Sequence, residues 1–256
     1  MSYRPSFDLP ETLLWPGDPH YDGKAAQPYL FTEETAVAVD VALATRRPLL
    51  VAGPPGSGKS RLAPAMAGIL KSRYLAYTFT SRSRLGDLTS EVDHLRRLHD
   101  AQTRLPGDTR PLPRPWAYRD PGLFWWAFDP LSARRRGGTD AQLADLEDQF
   151  QAPVPPSSPG ADRPGDLVML LDEIDKADPD LPNDLLEPLD RMAFPVPDSP
   201  TVTAPETMTL LVIITTNGER ELPPAFLRRC VSLVLLHPGK ERLTRIGQQH
   251  FPTVGK

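Results

Sequence analysis

The residues best suited to chemistry lie between Gly53 and Ser60. Gly53-Pro54-Pro55-Gly56-Ser57-Gly58-Lys59-Ser60 fits G-x-x-x-x-G-K-[ST] at every fixed position. Glycines let the backbone come close to phosphate oxygens, and successive N–H groups form a concave anion nest. Lys59 can reach β- and γ-phosphates, and the Ser60 hydroxyl can ligate Mg²⁺. Arg61 completes the segment counted as phosphate-binding. The apolar run Leu49-Leu50-Val51-Ala52 precedes it, as in a strand buried on both faces of a parallel sheet. A helical pattern follows and points its positive end at the same place. The spacing and its flanks predict a nucleotide-binding loop.

Three further pieces fall on strand ends. Leu167–Leu171 is strongly apolar and ends in Asp172-Glu173; Leu210–Thr216 ends at Asn217; Arg228 and Arg229 precede a last strand over Val231–Leu236. In a parallel α/β sheet the carboxyl ends of the strands line one crevice, where ligands bind. There Asp172 can hold Mg²⁺ through water, while Glu173 can orient and deprotonate an attacking water. Asn217 can hydrogen-bond that water or the γ-phosphate. An arginine on a surface helix suits charge stabilisation on a phosphate bound to a neighbour. Each piece alone has a plainer reading: acids cap helices, Asn-Gly makes turns, and paired arginines sit in solvent.

The elements that must position these groups can be traced along the chain. Residues 1–28, rich in Pro, Gly and Asp, read as an extended arm anchored by Leu13, Leu14 and Trp15. Thr32 is an N-cap for a helix with Glu33 and Glu34 in its first turn. Ser60–Arg73 reads as a helix that Pro64 should kink. Tyr74–Thr80 is a strand and Gly86–Ala101 a helix. Trp116–Trp126 suggests a hairpin turning at Asp120-Pro121-Gly122. Its aromatics either pack on the core or stack on bases. The arginines at 134–136 read as solvated. Asp140–Phe150 is an acidic helix candidate, and the Pro-rich run at 150–166 a flexible linker. Asp180 can cap a helix that buries Leu185, Leu186, Leu189 and Met192. A hairpin spans 194–205, a short helix Leu222–Arg229, and one helix candidate lies in 237–256.

Composition narrows the classes. The 256 residues include 31 Pro and 17 Gly, and the net charge of −4 argues against a generally basic nucleic-acid binder. Arg outnumbers Lys 23 to 6, which reads as base-composition bias rather than a binding surface. Cys230 is the only cysteine, so neither an internal disulfide nor a thiol zinc cluster is available. No run approaches the ~18 apolar residues of a membrane span, and the N-terminus lacks a signal-type apolar region. The expectation is a cytoplasmic protein.

The ordered constellation resembles the AAA+ ATPases over about residues 29–237. GPPGSGKS is similar to Walker A, LVMLLDE to Walker B, LLVIITTN to the sensor-1 strand, and FLRRC to the arginine-finger segment. Arg229 is the better finger match and Arg228 the reserve. RPLLVAGPPGSGKSRLA, DEIDKADPDLPNDLLEPLD and the hairpin FPVPDSPTVTAP place the resemblance in the MoxR-like branch. The resemblance implies a three-layer αβα fold with a five-stranded parallel sheet of order 5-1-4-3-2. It implies a helix-2 insert (82–166 with its linker) and a hairpin before sensor 1. It further implies ATP and Mg²⁺ as cofactors and a homo-oligomer, a hexameric ring that can depend on ATP. The work implied is remodelling of partner proteins, often with a von Willebrand factor A-type partner. Residues 238–256 match only the start of the helical lid that family members carry. Two other readings stay open: a nucleotide-gated interaction module with little hydrolysis, and a nucleic-acid motor of clamp-loader or helicase-loader type.

Overall fold

Apolar runs without polar alternation need cover on both faces, and Leu49–Ala52, Leu167–Leu171 and Leu210–Ile214 find it in one sheet. The computed structural model describes residues 5–9, 13–22, 27–103, 115–138, 151–155, 165–197 and 199–251. Strands β1 (Leu49–Ala52), β2 (Arg73–Thr78), β3 (Leu167–Asp172), β4 (Leu210–Thr216) and β5 (Val231–Val234) are all parallel. Their order is β5-β1-β4-β3-β2, the one the resemblance implies. Thr216 lies opposite Ala52, Ile214 opposite Leu171, and Thr78 opposite Asp172. This register brings the carboxyl ends of β1 to β4 to one rim.

Successive side chains of a strand point to opposite faces, so each strand feeds two cores. Val168, Leu170, Leu211, Ile213, Leu49 and Val51 pack with helices α1 (Glu33–Thr45) and α2 (Leu62–Leu70). Met169, Leu171, Val212 and Ile214 pack on the other side with the helix Leu123–Phe128 and with Leu185 and Leu189. The result is a three-layer α/β fold. α1 begins where expected: the Thr32 side chain accepts from the Thr35 N–H at 3.2 Å. Part of the expected arm is ordered against the core. Leu14–Trp15 pairs antiparallel with Tyr29–Leu30, and the Trp15 ring lies over Gly68 of α2.

Several expectations are corrected. Pro64 does not kink α2, because the helix starts at Leu62 and the proline falls in its first turn, where N–H groups have no intrahelical partner. The segment 86–101 is not one helix. It divides into Leu85–Leu88, the strand Ser90–Val92 and the helix His94–Gln102, since Ser90–Val92 pairs with Arg119–Pro121. That pairing also removes the aromatic hairpin: Pro115–Tyr118 is a 3₁₀ turn, and Gly122 caps the helix Leu123–Phe128, whose six residues are all buried. Trp125 and Trp126 are 0% and 2% exposed, so stacking on bases is closed to them. Arg136 is not solvated. It is buried, pairs with Asp120 at 2.6 Å and donates to the Arg119 carbonyl. The acidic helix candidate 140–150 and most of the linker lie outside the described residues. At 151–155, Ala152 is buried and its N–H donates to the Arg134 carbonyl at 2.8 Å. The helix after Asp180 runs as two pieces, Leu181–Asp184 and Leu186–Arg191. The hairpin before β4 is present, Ala193–Phe194 against Val202–Thr203. The short helix expected over Leu222–Arg229 is Pro224–Leu227, and the last described helix, α3, is Lys240–His250.

Candidate functional site

The loop after β1 turns tightly because its glycines allow it. Gly53 passes so close to the Leu235 carbonyl that a Cβ would stand 2.3 Å from its oxygen. Gly58 holds φ at +93°, a region that L side chains rarely adopt. Lys59 folds back over the loop and donates to the carbonyls of Gly53 (2.7 Å) and Pro54 (2.9 Å). It is only 7% exposed. Burial pulls its pKa below the ordinary lysine value, while Asp172, Asp175 and Glu173 oppose that pull. The N–H groups of Gly56, Gly58, Lys59 and Ser60 donate to no backbone carbonyl among the described residues. The Ser57 hydroxyl is buried without a partner. Free N–H groups, an orphaned hydroxyl and a cation make a cradle with anion-binding capacity unspent.

The carboxylates meet this cradle from β3. Ser60 Oγ donates to Asp172 Oδ1 at 2.8 Å, across 112 positions of sequence. Thr215, on β4 beside β3, donates its hydroxyl to the same Asp172 oxygen. An oxygen-only pair of hydroxyl and carboxylate is the donor set that Mg²⁺ takes when phosphates supply the remaining ligands. The residues therefore fit the cation. Glu173 follows with φ +61° and ψ +50°, a left-handed conformation that costs a non-glycine residue about 1 kcal/mol. Its N–H donates to Thr215 Oγ1 at 2.9 Å. Its carboxylate is held by Lys176 Nζ at 2.7 Å, and that bond raises the Lys176 pKa.

Asn217 sits at the tip of β4, next to these groups in the sheet. The residue that fixes its backbone is Asp175, which sequence reasoning missed. Asp175 is 4% exposed, and its Oδ2 accepts the N–H groups of Asn217 and Glu219, both at 3.1 Å. Its Oδ1 is buried without a partner. The available signal was its place two residues after Glu173, on a turn that must lie at the strand tips.

Arg228 and Arg229 lie elsewhere. They follow Pro224–Leu227 and lead into the amino end of β5, whereas the phosphate loop leaves the carboxyl end of β1. Arg229 Nε pairs with Asp190 at 2.8 Å, both side chains about half exposed at 46% and 48%. Arg47 braces the turn by donating to the carbonyls of Arg228 and Arg229. Cys230, next in sequence, is buried, which pushes its thiol pKa up to about 11.

Residues 31–83 match the family model of magnesium chelatase, subunit ChlI. That span holds the phosphate loop and α2 and stops before Asp172, covering well under half of the chain. No relative of the chain is found among curated proteins. Among solved structures, the chain is similar to a candidate ATPase from Cytophaga hutchinsonii ATCC 33406, with a TM-score of 0.46 and 15% identity. The match covers 84% of this chain and 49% of that one, so the chain spans about half the length of that protein.

Proposed function

We propose that the chain is a Mg²⁺-dependent ATPase of the AAA+ kind, in the MoxR-like branch, whose turnover remodels partner proteins in the cytoplasm. One observation carries this reading: Ser60 of the phosphate loop and Asp172 of β3 meet at 2.8 Å, with Thr215 of β4 on the same oxygen. The family match over the loop and the β5-β1-β4-β3-β2 order support the AAA+ reading. The paired segments Ala193–Phe194 and Val202–Thr203 before β4 support the finer branch.

The chain's own residues divide the work. The loop N–H groups of Gly56, Gly58, Lys59 and Ser60 bind phosphate oxygens, and Lys59 exchanges two carbonyls for them. Ser60 and Asp172 would hold Mg²⁺, which supplies charge neutralisation between the phosphates. Glu173 takes the proton of the attacking water once it leaves Lys176, and Asn217 orients that water or the γ-phosphate. Arg229 acts on the phosphate of a second copy in a ring. A von Willebrand factor A-type protein is the proposed partner.

The Glu173–Lys176 contact favours a second reading, in which the base stays engaged and ATP only gates an interaction. Steady-state hydrolysis measured beside ATP affinity separates the two. Wild type should turn over Mg–ATP, and Glu173→Gln should bind it equally while hydrolysing about 10²-fold slower. Tight binding with no wild-type turnover would leave the gated module.

A further inference from the structure

We infer that Asp175 is a positioning residue for hydrolysis: it clamps the loop after β4 to the turn after β3 and so holds Asn217 ready for its contact. The inference rests on the ATPase reading above. Three consecutive N–H groups of that loop are taken by two side chains. Asn217 and Glu219 donate to Asp175 Oδ2, each at 3.1 Å, and Gly218 donates to Thr216 Oγ1 at 3.0 Å. Gly218 sits at φ +76°, which folds the loop so that its neighbours' N–H groups converge on one oxygen. Asp175 reaches across from another strand connection, 42 and 44 positions away in sequence.

The chemistry of the clamp goes beyond closing a loop. A single side-chain oxygen of Asp175 accepts both amides at ordinary N–H···O distances. The second oxygen of the same carboxyl, Oδ1, is buried with no partner among the described residues. Asp175 also shares the 3₁₀ turn Ile174–Lys176 with the lysine that grips Glu173. One turn thus carries both the hold on the base and the hold on Asn217. A shift of this turn moves the two groups together, so Asp175 ties the geometry of Asn217 to that of Glu173.

Asp175→Ala removes the acceptor, while Asp175→Asn keeps a carbonyl oxygen that can take both amides. Asp175→Ala should lower kcat by about tenfold or more with ATP affinity within about threefold, and Asp175→Asn should retain at least about a third of wild-type turnover. In an Asn217→Ala background, adding Asp175→Ala should cost less than about twofold more, because both act through one contact. Hydrogen exchange without nucleotide gives a second readout. The Asn217 and Glu219 amides should exchange about tenfold faster in Asp175→Ala and near the wild-type rate in Asp175→Asn. Should Asp175→Ala fail to fold, Asp175→Ser carries the same expected loss. Multiplying effects with Asn217→Ala, an equal loss in Asp175→Asn, or unchanged exchange at 217 and 219 in an active protein would each overturn the clamp alone. A wild type without any ATP hydrolysis would overturn the ATPase reading and this inference with it.

Discussion

The phosphate loop and the Arg229 turn are both polar, yet they are built in opposite ways. Around the loop, bonds run inward between buried or half-buried groups: Lys59 to its own carbonyls, Ser60 and Thr215 to Asp172, and Glu173's N–H to Thr215. These partners come from the loop after β1 and from the carboxyl ends of β3 and β4. At the other place, the backbone is braced by Arg47, but the Arg229 side chain is half exposed and, among the described residues, meets Asp190 and the Ala225 carbonyl. Exposed pairs of that sort contribute about 0–1 kcal/mol, so the guanidinium can leave at little cost. On the proposed reading, binding is organised within one chain, whereas Arg229, braced in its backbone and loosely held at its tip, reaches a second copy.

The comparison can be broken at either end. The largest effect is expected for Arg229→Ala, which should cut turnover by about 10²-fold or more and leave ATP affinity unchanged. Loss of affinity in that variant, measured by calorimetry, would place Arg229 in its own chain's binding. Next comes Lys59→Ala, expected to weaken ATP binding at least tenfold, about 1.4 kcal/mol. Equal affinity would mean that the loop is structural. Because burial lowers the Lys59 pKa, nucleotide affinity should also begin to fall at a lower pH than an ordinary lysine would give. A pH series of binding isotherms reads this directly.

Asp190→Ala removes the other partner of the same ion pair. It frees Arg229 without touching the loop, so stability should change by less than about 1 kcal/mol and turnover should hold or rise. A fall in turnover as large as that of Arg229→Ala would show that the Asp190 pair itself is the working state. The smallest effect at neutral pH belongs to Cys230. Its folded pKa of about 11 lies above the unfolded thiol value, so the unfolded chain releases the proton first. Its contribution to stability is therefore complete at neutral pH and is lost as pH rises from the unfolded value through about 11. Thermal midpoints from pH 7 to 10.5, for wild type against Cys230→Ala, should diverge only at the alkaline end.

The loop's shape was legible in the sequence because its determinants are local: eight consecutive residues carry its glycines, Lys59 and Ser60, the proposed Mg²⁺ ligand. The sheet was legible because β1, β3 and β4 are apolar without interruption, and its order followed from the resemblance. Leu123–Phe128 was misread because all six residues are buried, and a short run buried on every side shows no period to arbitrate between helix and strand. Arg136 reads as solvated in the sequence, and Arg73 and Asp175 draw no role there, for a different reason. Each is a buried charge whose partners are distant in sequence, such as the Trp126 and Ala127 carbonyls under Arg73 and the Asn217 amide on Asp175. Nothing in the local pattern marks such a residue. Burial holds the Arg73 pKa down, at about 10, and still leaves it charged at neutral pH as it caps the Leu123–Phe128 helix.

On the proposed reading, this chain hydrolyses ATP with a phosphate cradle from one copy and Arg229 from the next. Specific activity against protein concentration tests it most directly, with Lys59→Ala and Arg229→Ala measured separately and mixed. Activity per chain should rise with concentration, and the mixture should regain turnover that neither variant shows alone. A specific activity independent of concentration, with no rescue in the mixture, would contradict the claim and leave Arg229 as a surface partner of Asp190.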